Sequence, residues 1–320
     1  MRALLLTALL CGLSAAGATS SQMNLKGPFQ AGQLEDWAFG GSAVVTDSFI
    51  RLTPAEAGHE GSIWSKEVMP YKEWEMELNF KVTGARYLGG DGFALWFTEE
   101  HDKFGATFGN QEDFRGVGII FDTYDNDGKR DNPSIMAVSG DGSTRFDHDS
   151  DGAAAKLPNS MCKVNFRNPR NPVQVRIRFQ DAKLYVAFDT RGQRSYQDCF
   201  VAEGVKMPRA YFVGMTAHTG QVADNHDIFS LTTTNLSPET EQSQPSGGGE
   251  GAKADPEKEH KWKGDDDRHL KRFQEAVIRW SAIPSDERGV LSTQRKRDFR
   301  EGRRAVDGDM GEGEEELEEE

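Results

Sequence analysis

Residues 74–82 read WEMELNFKV. Trp74, Met76, Leu78, Phe80 and Val82 alternate with Glu75, Glu77, Asn79 and Lys81, so every second side chain is apolar. A period of two belongs to a strand with one face buried and the other wet. VQVRIRF (173–179) and LYVAF (184–188) repeat the pattern, and Gln180–Lys183 between them reads as a hairpin connection. GFALWF (92–97), GVGIIF (116–121) and AYFVGMTA (210–217) are more continuously apolar, which predicts strands covered on both faces. IFSLTTTNL (228–236) is rich in β-branched residues. No long amphipathic helix is evident from Lys26 to Leu236. Many strands separated by Gly- and Asp-rich turns predict an all-β, antiparallel β-sandwich.

The rest of the 320-residue chain differs in composition. MRALLLTALLCGLSAAGATS carries Arg2, an apolar run and small residues at Ala16–Ala18, the pattern of a secretory signal peptide over 1–18. An uncleaved anchor is the alternative, but the run is short for a span. A lumenal or extracellular domain over 19–236 follows. With Cys11 in the leader, Cys162 and Cys199 remain, and an even pair in an oxidising compartment reads as one disulfide. Residues 237–264 are a Ser-, Pro- and Gly-rich flexible linker. Residues 265–283 read as a short amphipathic helix with Leu270, Phe273, Val277 and Trp280 on a narrow stripe. It is either a marginal isolated helix or a segment for self-association or a membrane partner. Residues 284–320 form a charged tail expected to be disordered. The net charge of -14 argues against nucleic acid as a partner. After the leader no run approaches ~18 consecutive apolar residues, so no transmembrane segment is expected in the mature chain.

The chemistry lies in FDTYDNDGKRDN (121–132), directly after the apolar GVGII. Asp122, Asp125, Asn126, Asp127, Asp131 and Asn132 offer oxygens suited to a hard cation, and calcium accepts six to eight of them in irregular geometry. The absence of imidazole or thiol in this stretch argues against zinc or copper. An EF-hand loop fits poorly: started at Asp122 it places Tyr124 third, and started at Asp125 it places Lys129 fifth. A polar turn in which Asp and Asn cap their own backbone stays open as the alternative.

Further segments extend the pattern: GGDGFALWF with Asp91, FDHDSDGA with His148 and Asp151, and HTGQVADNHD with a glycine loop. Together these resemble the L-type, or legume-type, lectins, in particular the subgroup that carries glycoproteins between the endoplasmic reticulum and the Golgi. The resemblance covers roughly Asn24 to Leu236. It implies a legume-lectin (concanavalin-like) jelly roll, a Ca2+ cofactor and high-mannose glycoproteins as partners, with no enzymatic activity. It implies Asp122, the Tyr124 carbonyl, Asn126 and Asp151 as ligands of the main ion, and Asp125, Asp127, Asp131 and Asn132 around a second. Asp91, Asn126 and His148 would bind mannose through side chains, and Gly220, Gln221 and Val222 through a loop that closes over the sugar. It further implies a cis Gly90–Asp91 bond and a disulfide between Cys162, just before Phe166-Arg167-Asn168, and Cys199.

Two positions depart from the subgroup. Gly58, in AGHEGSIW, stands where relatives place a sugar-contacting serine, which removes that contact or moves it to His59. Gln221 stands where relatives carry Gly or Asp. The membrane-spanning segment and cytoplasmic sorting signal of the cargo receptors have no counterpart, so the protein is soluble, works through a membrane partner, or is incomplete as given. The expected function is calcium-dependent binding of high-mannose N-glycans in the secretory-pathway lumen (endoplasmic reticulum, intermediate compartment or Golgi, with secretion open). It would serve glycoprotein transport or quality control. The alternatives are a lectin-fold interaction module without sugar binding, and a glycoside hydrolase using Glu75 and Glu77. Asp224, Asn225, His226 and Asp227 read as structural turn residues.

Overall fold

A computed structural model describes residues 23–29, 34–143 and 145–237. The leader, the linker beyond Ser237, the helix expected at 265–283 and the acidic tail lie outside the described residues. Two antiparallel sheets face each other, as the alternation requires. The larger runs β13 (Gln197–Glu203), β12 (Lys183–Asp189), β11 (Val173–Gln180), β6 (Trp74–Thr83), β15 (Asn225–Asn235), β4 (Ile50–Thr53) and β3 (Val44–Val45). The two-residue β1 (Leu25–Lys26) also pairs with β15. The smaller runs β10 (Lys156–Lys163), β9 (Ser134–Asp141), β8 (Arg115–Asp122), β7 (Gly92–Thr98), β14 (Phe212–His218), β5 (Glu60–Ser65) and β2 (Trp37–Gly41). Among the described residues no helix is long and apolar enough to cross a membrane.

The sandwich core is built from the alternating faces. Trp74, Met76, Leu78, Phe80 and Val82 of β6 are fully buried, with Val173, Val175 and Ile177 of β11 beside them. Phe93, Leu95 and Phe97 of β7 and Val117, Ile119 and Phe121 of β8 meet them from the other sheet. Phe80 packs edge-on against Phe93 and Phe121, which stack on each other at 4.3 Å. The hairpin from β11 to β12 turns through Asp181 and Ala182, both at positive φ (51° and 55°), the geometry whose twist matches the flanking strands.

The continuously apolar strands have a second layer to fill. On the outer face of the smaller sheet Trp64, Trp96, Ile120, Met136 and Val138 form a separate cluster, closed by Phe108, Phe114 and Phe146 from loops. Gly118 and Gly214 lie directly under the rings of Trp96 and Trp64, where a Cβ would collide with the indoles. This layer brings the loops at 99–114 and 145–155 down onto the sheet.

Cys162 of β10 and Cys199 of β13 are disulfide-bonded, with Cα atoms 5.4 Å apart. The bond joins the edge strand of one sheet to the edge strand of the other. It closes a loop of 37 residues. The double variant Cys162→Ser/Cys199→Ser is expected to lose about 4 kcal/mol of unfolding free energy in a urea titration.

His226 is fully buried and without a carboxylate partner. Its Nδ1 lies 2.7 Å from the Thr53 hydroxyl, and burial pushes its pKa down to about 3. The unfolded chain therefore takes up this proton first, at about pH 6.5. The stability this neutral histidine permits is complete above that pH and is lost as pH falls toward 3, by roughly 1.4 kcal/mol per pH unit. His226→Gln is expected to remove about 2 kcal/mol of the stability difference between pH 7 and pH 5, read from denaturant midpoints.

Candidate functional site

Three neighbouring strand ends of the smaller sheet converge at one point. Gly92 at the start of β7 pairs with Asp122 at the end of β8 and with His218 at the end of β14. Asp91, one residue before β7, is thus bracketed by both. Its N–H donates to the His218 carbonyl (3.1 Å), and its carbonyl accepts from the Thr123 N–H (3.1 Å) and hydroxyl (3.0 Å). The Gly90–Asp91 bond is cis. The Asp91 carboxylate is about one-third exposed, with Oδ2 2.8 Å from Nδ1 of His218.

The chain reaches this point through a loop held by a buried ion pair. Arg167 forks onto Asp224 through Nε and Nη2, both at 2.8 Å, and also donates to the carbonyls of Arg86 and Tyr87. Gly84 and Gly89 both lie against the Asp224 carboxylate, where any Cβ would collide. Asp224 in turn donates its N–H to the Gly90 carbonyl (3.1 Å). The structural reading of Asp224–Asp227 therefore holds in kind. Their position shifts: β15 begins at Asn225, so His226 is a core residue and Asp227 pairs with Arg51 at 2.7 Å.

Beside Asp91, the loop from β8 to β9 folds over Asp151. One ligand oxygen from each of Asp125, Asp127, Asp131 and Asp151 falls within 4.8 Å of the others. Asp151 is nearly buried and stands at positive φ (48°) after the 3-10 turn His148–Ser150. Its two oxygens face the N–H groups of Asn126 (3.3 Å) and Asp127 (3.5 Å). Asp122 is buried, accepts from the Tyr124 N–H (3.0 Å), and is pushed by burial up to about 8. The Tyr124 carbonyl accepts from the side chain of Asn132. Asp127 has both oxygens engaged by Lys129, which makes it the least available carboxylate of the group.

These residues fit a divalent hard cation. Oδ1 of Asp125, Oδ1 of Asp131 and Oδ1 of Asn132 are buried with no hydrogen-bond partner, and unpaired buried oxygens are costly unless something positive meets them. The donors are carboxylate, amide and carbonyl oxygens, the set calcium takes and zinc does not favour. Asp151 lies within the carboxylate cluster and also raises the pKa of Asp122. The two expected ligand sets thus meet at this residue.

The expected sugar-facing residues also gather here. His148 packs against Phe146 (4.9 Å) and Phe108 (5.7 Å), burial lowers its pKa, and its Nε2 is buried without a partner. Gly220 lies over Asp91, and a Cβ there would stand 3.2 and 3.4 Å from the two carboxylate oxygens. Gln221 is exposed. The Val222 side chain lies over Gly90. Gly58 donates its N–H to the carbonyls of Thr219 (2.9 Å) and Gly220 (3.2 Å), which ties the 54–59 loop to the glycine loop. His218, Thr123 and the Arg167–Asp224 pair were not anticipated. The only trace of His218 in the sequence is a histidine ending an apolar strand.

The legume-like lectin family matches residues 17–243. The chain belongs to the legume-like lectin family. Within that family it is 36% identical over 219 residues to Protein ERGIC-53 of Mus musculus, covering 67% of this chain and 42% of the relative. It is 38% identical over 199 residues to vesicular integral-membrane protein VIP36 of Homo sapiens, covering 61% and 55%. The chain thus spans about half the length of these curated relatives. Among solved structures it resembles the Ca2+/Man3GlcNAc-bound exoplasmic/lumenal domain of VIP36, with a TM-score of 0.65 and 35% identity over 69% of this chain and 92% of that one. The Ca2+-bound form of the same domain matches equally, with a TM-score of 0.65. The sandwich is therefore that of a legume-like lectin. Glu75 and Glu77, the pair behind the hydrolase alternative, lie on the other sheet. They are engaged by Arg176 at 3.5 and 3.7 Å, and Glu77 also accepts from the Tyr196 hydroxyl.

As a legume-like lectin with this oxygen cluster, the protein should be stabilised by calcium. At a hundred times the dissociation constant the gain should be about 2.7 kcal/mol, read as a shift in thermal midpoint. Asp151→Asn keeps a residue that tolerates the left-handed backbone but removes the central charge. It is expected to abolish most of that shift.

Proposed function

We propose that this legume-like lectin binds high-mannose N-glycans on glycoproteins in a calcium-dependent manner. We place it in the lumen of the secretory pathway, in transport or quality control between the endoplasmic reticulum and the Golgi. The observation that carries the reading is the placement of Asp91 at the meeting of three strand ends, close enough to both Asp122 and His148 for its charge to act on each. Similarity to the VIP36 domain bound to Ca2+ and Man3GlcNAc supports it.

The residues divide the work by chemistry. A sugar hydroxyl is both donor and acceptor. Asp91 accepts from hydroxyls, and charge-assisted bonds of this kind are short and strong. Asn126 would offer its side-chain oxygen to an ion and its NH₂ to the sugar. Asp122, the Tyr124 carbonyl, Asn126 and Asp151 would hold the main ion, and Asp125, Asp127, Asp131 and Asn132 a second. Calcium, when bound, supplies the fixed positive charge that orients the Asn126 amide. Gly220 leaves room above Asp91, and His148 closes the opposite side on its aromatic seat. Such preorganisation is how a shallow site gains affinity.

A second reading has a specific observation behind it. Gly58 offers no side chain to a ligand and Gln221 replaces the smaller or acidic residue at the rim, which suits a lectin fold retained as an interaction module. The two readings separate on an array of N-glycans probed with the full chain, with calcium and with chelator. Binding confined to mannose-type glycans, lost with chelator and in Asp91→Ala or Asn126→Ala, is the expected result. Gly220→Ala should weaken it by roughly tenfold through steric intrusion on Asp91. No glycan bound in saturating calcium would reject the lectin reading and leave the interaction module.

A further inference from the structure

The site contains a histidine to which no role has been assigned. His218 ends β14, and its imidazole Nδ1 lies 2.8 Å from Oδ2 of Asp91. The two residues are joined a second time through the backbone, where the Asp91 N–H donates to the His218 carbonyl. Both side chains are about one-third exposed, at the mouth of the site. Oδ1 of Asp91 has no hydrogen-bond donor among the described residues and lies beside Gly220, the open side of the carboxylate.

We propose that His218 is a positioning residue for the sugar-binding carboxylate: its imidazole holds Oδ2 of Asp91, so that Oδ1 is the oxygen offered to the ligand. The inference rests on the reading of Asp91 as the sugar's acceptor. An aspartate side chain one residue outside a strand is otherwise free to rotate about χ1 and χ2. A single donor at one oxygen removes that freedom before the ligand arrives, which lowers the cost of binding.

The pair also gives the site a charge that responds to pH. The charged groups that face His218 are Asp91 just before β7, Glu60 directly opposite on β5, and His148 from the loop before β10. Glu56 and His59 in the adjoining loop pair with each other at 3.7 Å. The hydrogen bond to Asp91 raises the His218 pKa above its usual value, against the opposing effect of burial. Above that pKa the neutral ring donates Nδ1–H and leaves Asp91 its full charge. Below it the imidazolium draws on the carboxylate and adds positive charge next to a cation site. A hydroxyl then finds a weaker acceptor, so glycan affinity falls as His218 takes up its proton.

Two measurements at saturating calcium test this. The first is affinity of the full chain for a Man9 glycan between about pH 8 and pH 5.5, for wild type, His218→Ala and His218→Gln. His218→Ala should weaken binding roughly tenfold at pH 7.5, the worth of one hydrogen bond to a charged group. His218→Gln keeps a donor without a titratable proton. It should bind near wild type at pH 7.5 and lose less affinity at acid pH. The second is the NMR titration of the His218 ring in wild type and Asp91→Asn, where the variant should titrate at lower pH. Wild-type binding with affinity and pH profile unchanged in both His218 variants overturns the proposal. If wild type binds no glycan, the lectin reading fails. An Asp91→Asn variant that leaves the His218 titration in place then overturns the pairing as well.

Discussion

The backbone of Asp91 is hydrogen-bonded on both sides, to His218 of β14 and to Thr123 just beyond β8. This double attachment is the constraint around which the functional end of the sandwich is organised. Strand pairing delivers it: Gly92 is shared by two ladders, so the strand ends on either side are placed to within a hydrogen bond. A residue one step outside such a ladder inherits its rigidity while keeping an exposed side chain. Binding residues gain precision when a rigid scaffold carries the loops that hold them. The buried Arg167–Asp224 pair extends the same rigidity to the loop that leads into Asp91.

Electrostatics then decide what this end of the molecule can hold. Carboxylates of Asp125, Asp127, Asp131 and Asp151 are crowded together, and Asp122 is buried beside them with its pKa raised. Such crowding is unfavourable for the chain alone, because like charges repel and burial disfavours ionisation. Lys129 offsets it at Asp127, while buried oxygens of Asp125, Asp131 and Asn132 remain unpaired. A hard divalent cation would relieve both problems at once. The aromatic layer on the outer face of the smaller sheet is equally necessary. It seats His148 on Phe108 and Phe146, and burial lowers the pKa of its ring.

Much of this was legible in the order of residues. The alternation in WEMELNFKV and VQVRIRF predicts two buried faces, and both are found, paired to each other in register. The continuous runs GFALWF and GVGIIF predict cover on two sides, and two clusters provide it. The short strands at the rims were not legible. Val44–Val45, Ile50–Thr53 and Leu25–Lys26 are too brief to show a period, and they exist because longer neighbours offer them an edge. His226 illustrates the same limit. DNHD has the composition of a turn, yet β15 carries it into the core, where only the neutral imidazole is tolerated.

The sequence by itself determined the all-β sandwich, the family and the chemical type of the site. Periodicity, a pair of cysteines and a run of oxygen-bearing residues are local properties that any reader of the chain can count. Only the tertiary structure decided which of those residues meet. Asp91, Asp122 and His218 are far apart along the chain and adjacent in space because three antiparallel strands end together. Asp151 joins the 122–134 loop because an aromatic layer presses its own loop onto the sheet. Hydrogen bonds and charge act over a few ångströms, so the role of His218 exists only where the ladder sets it against Asp91.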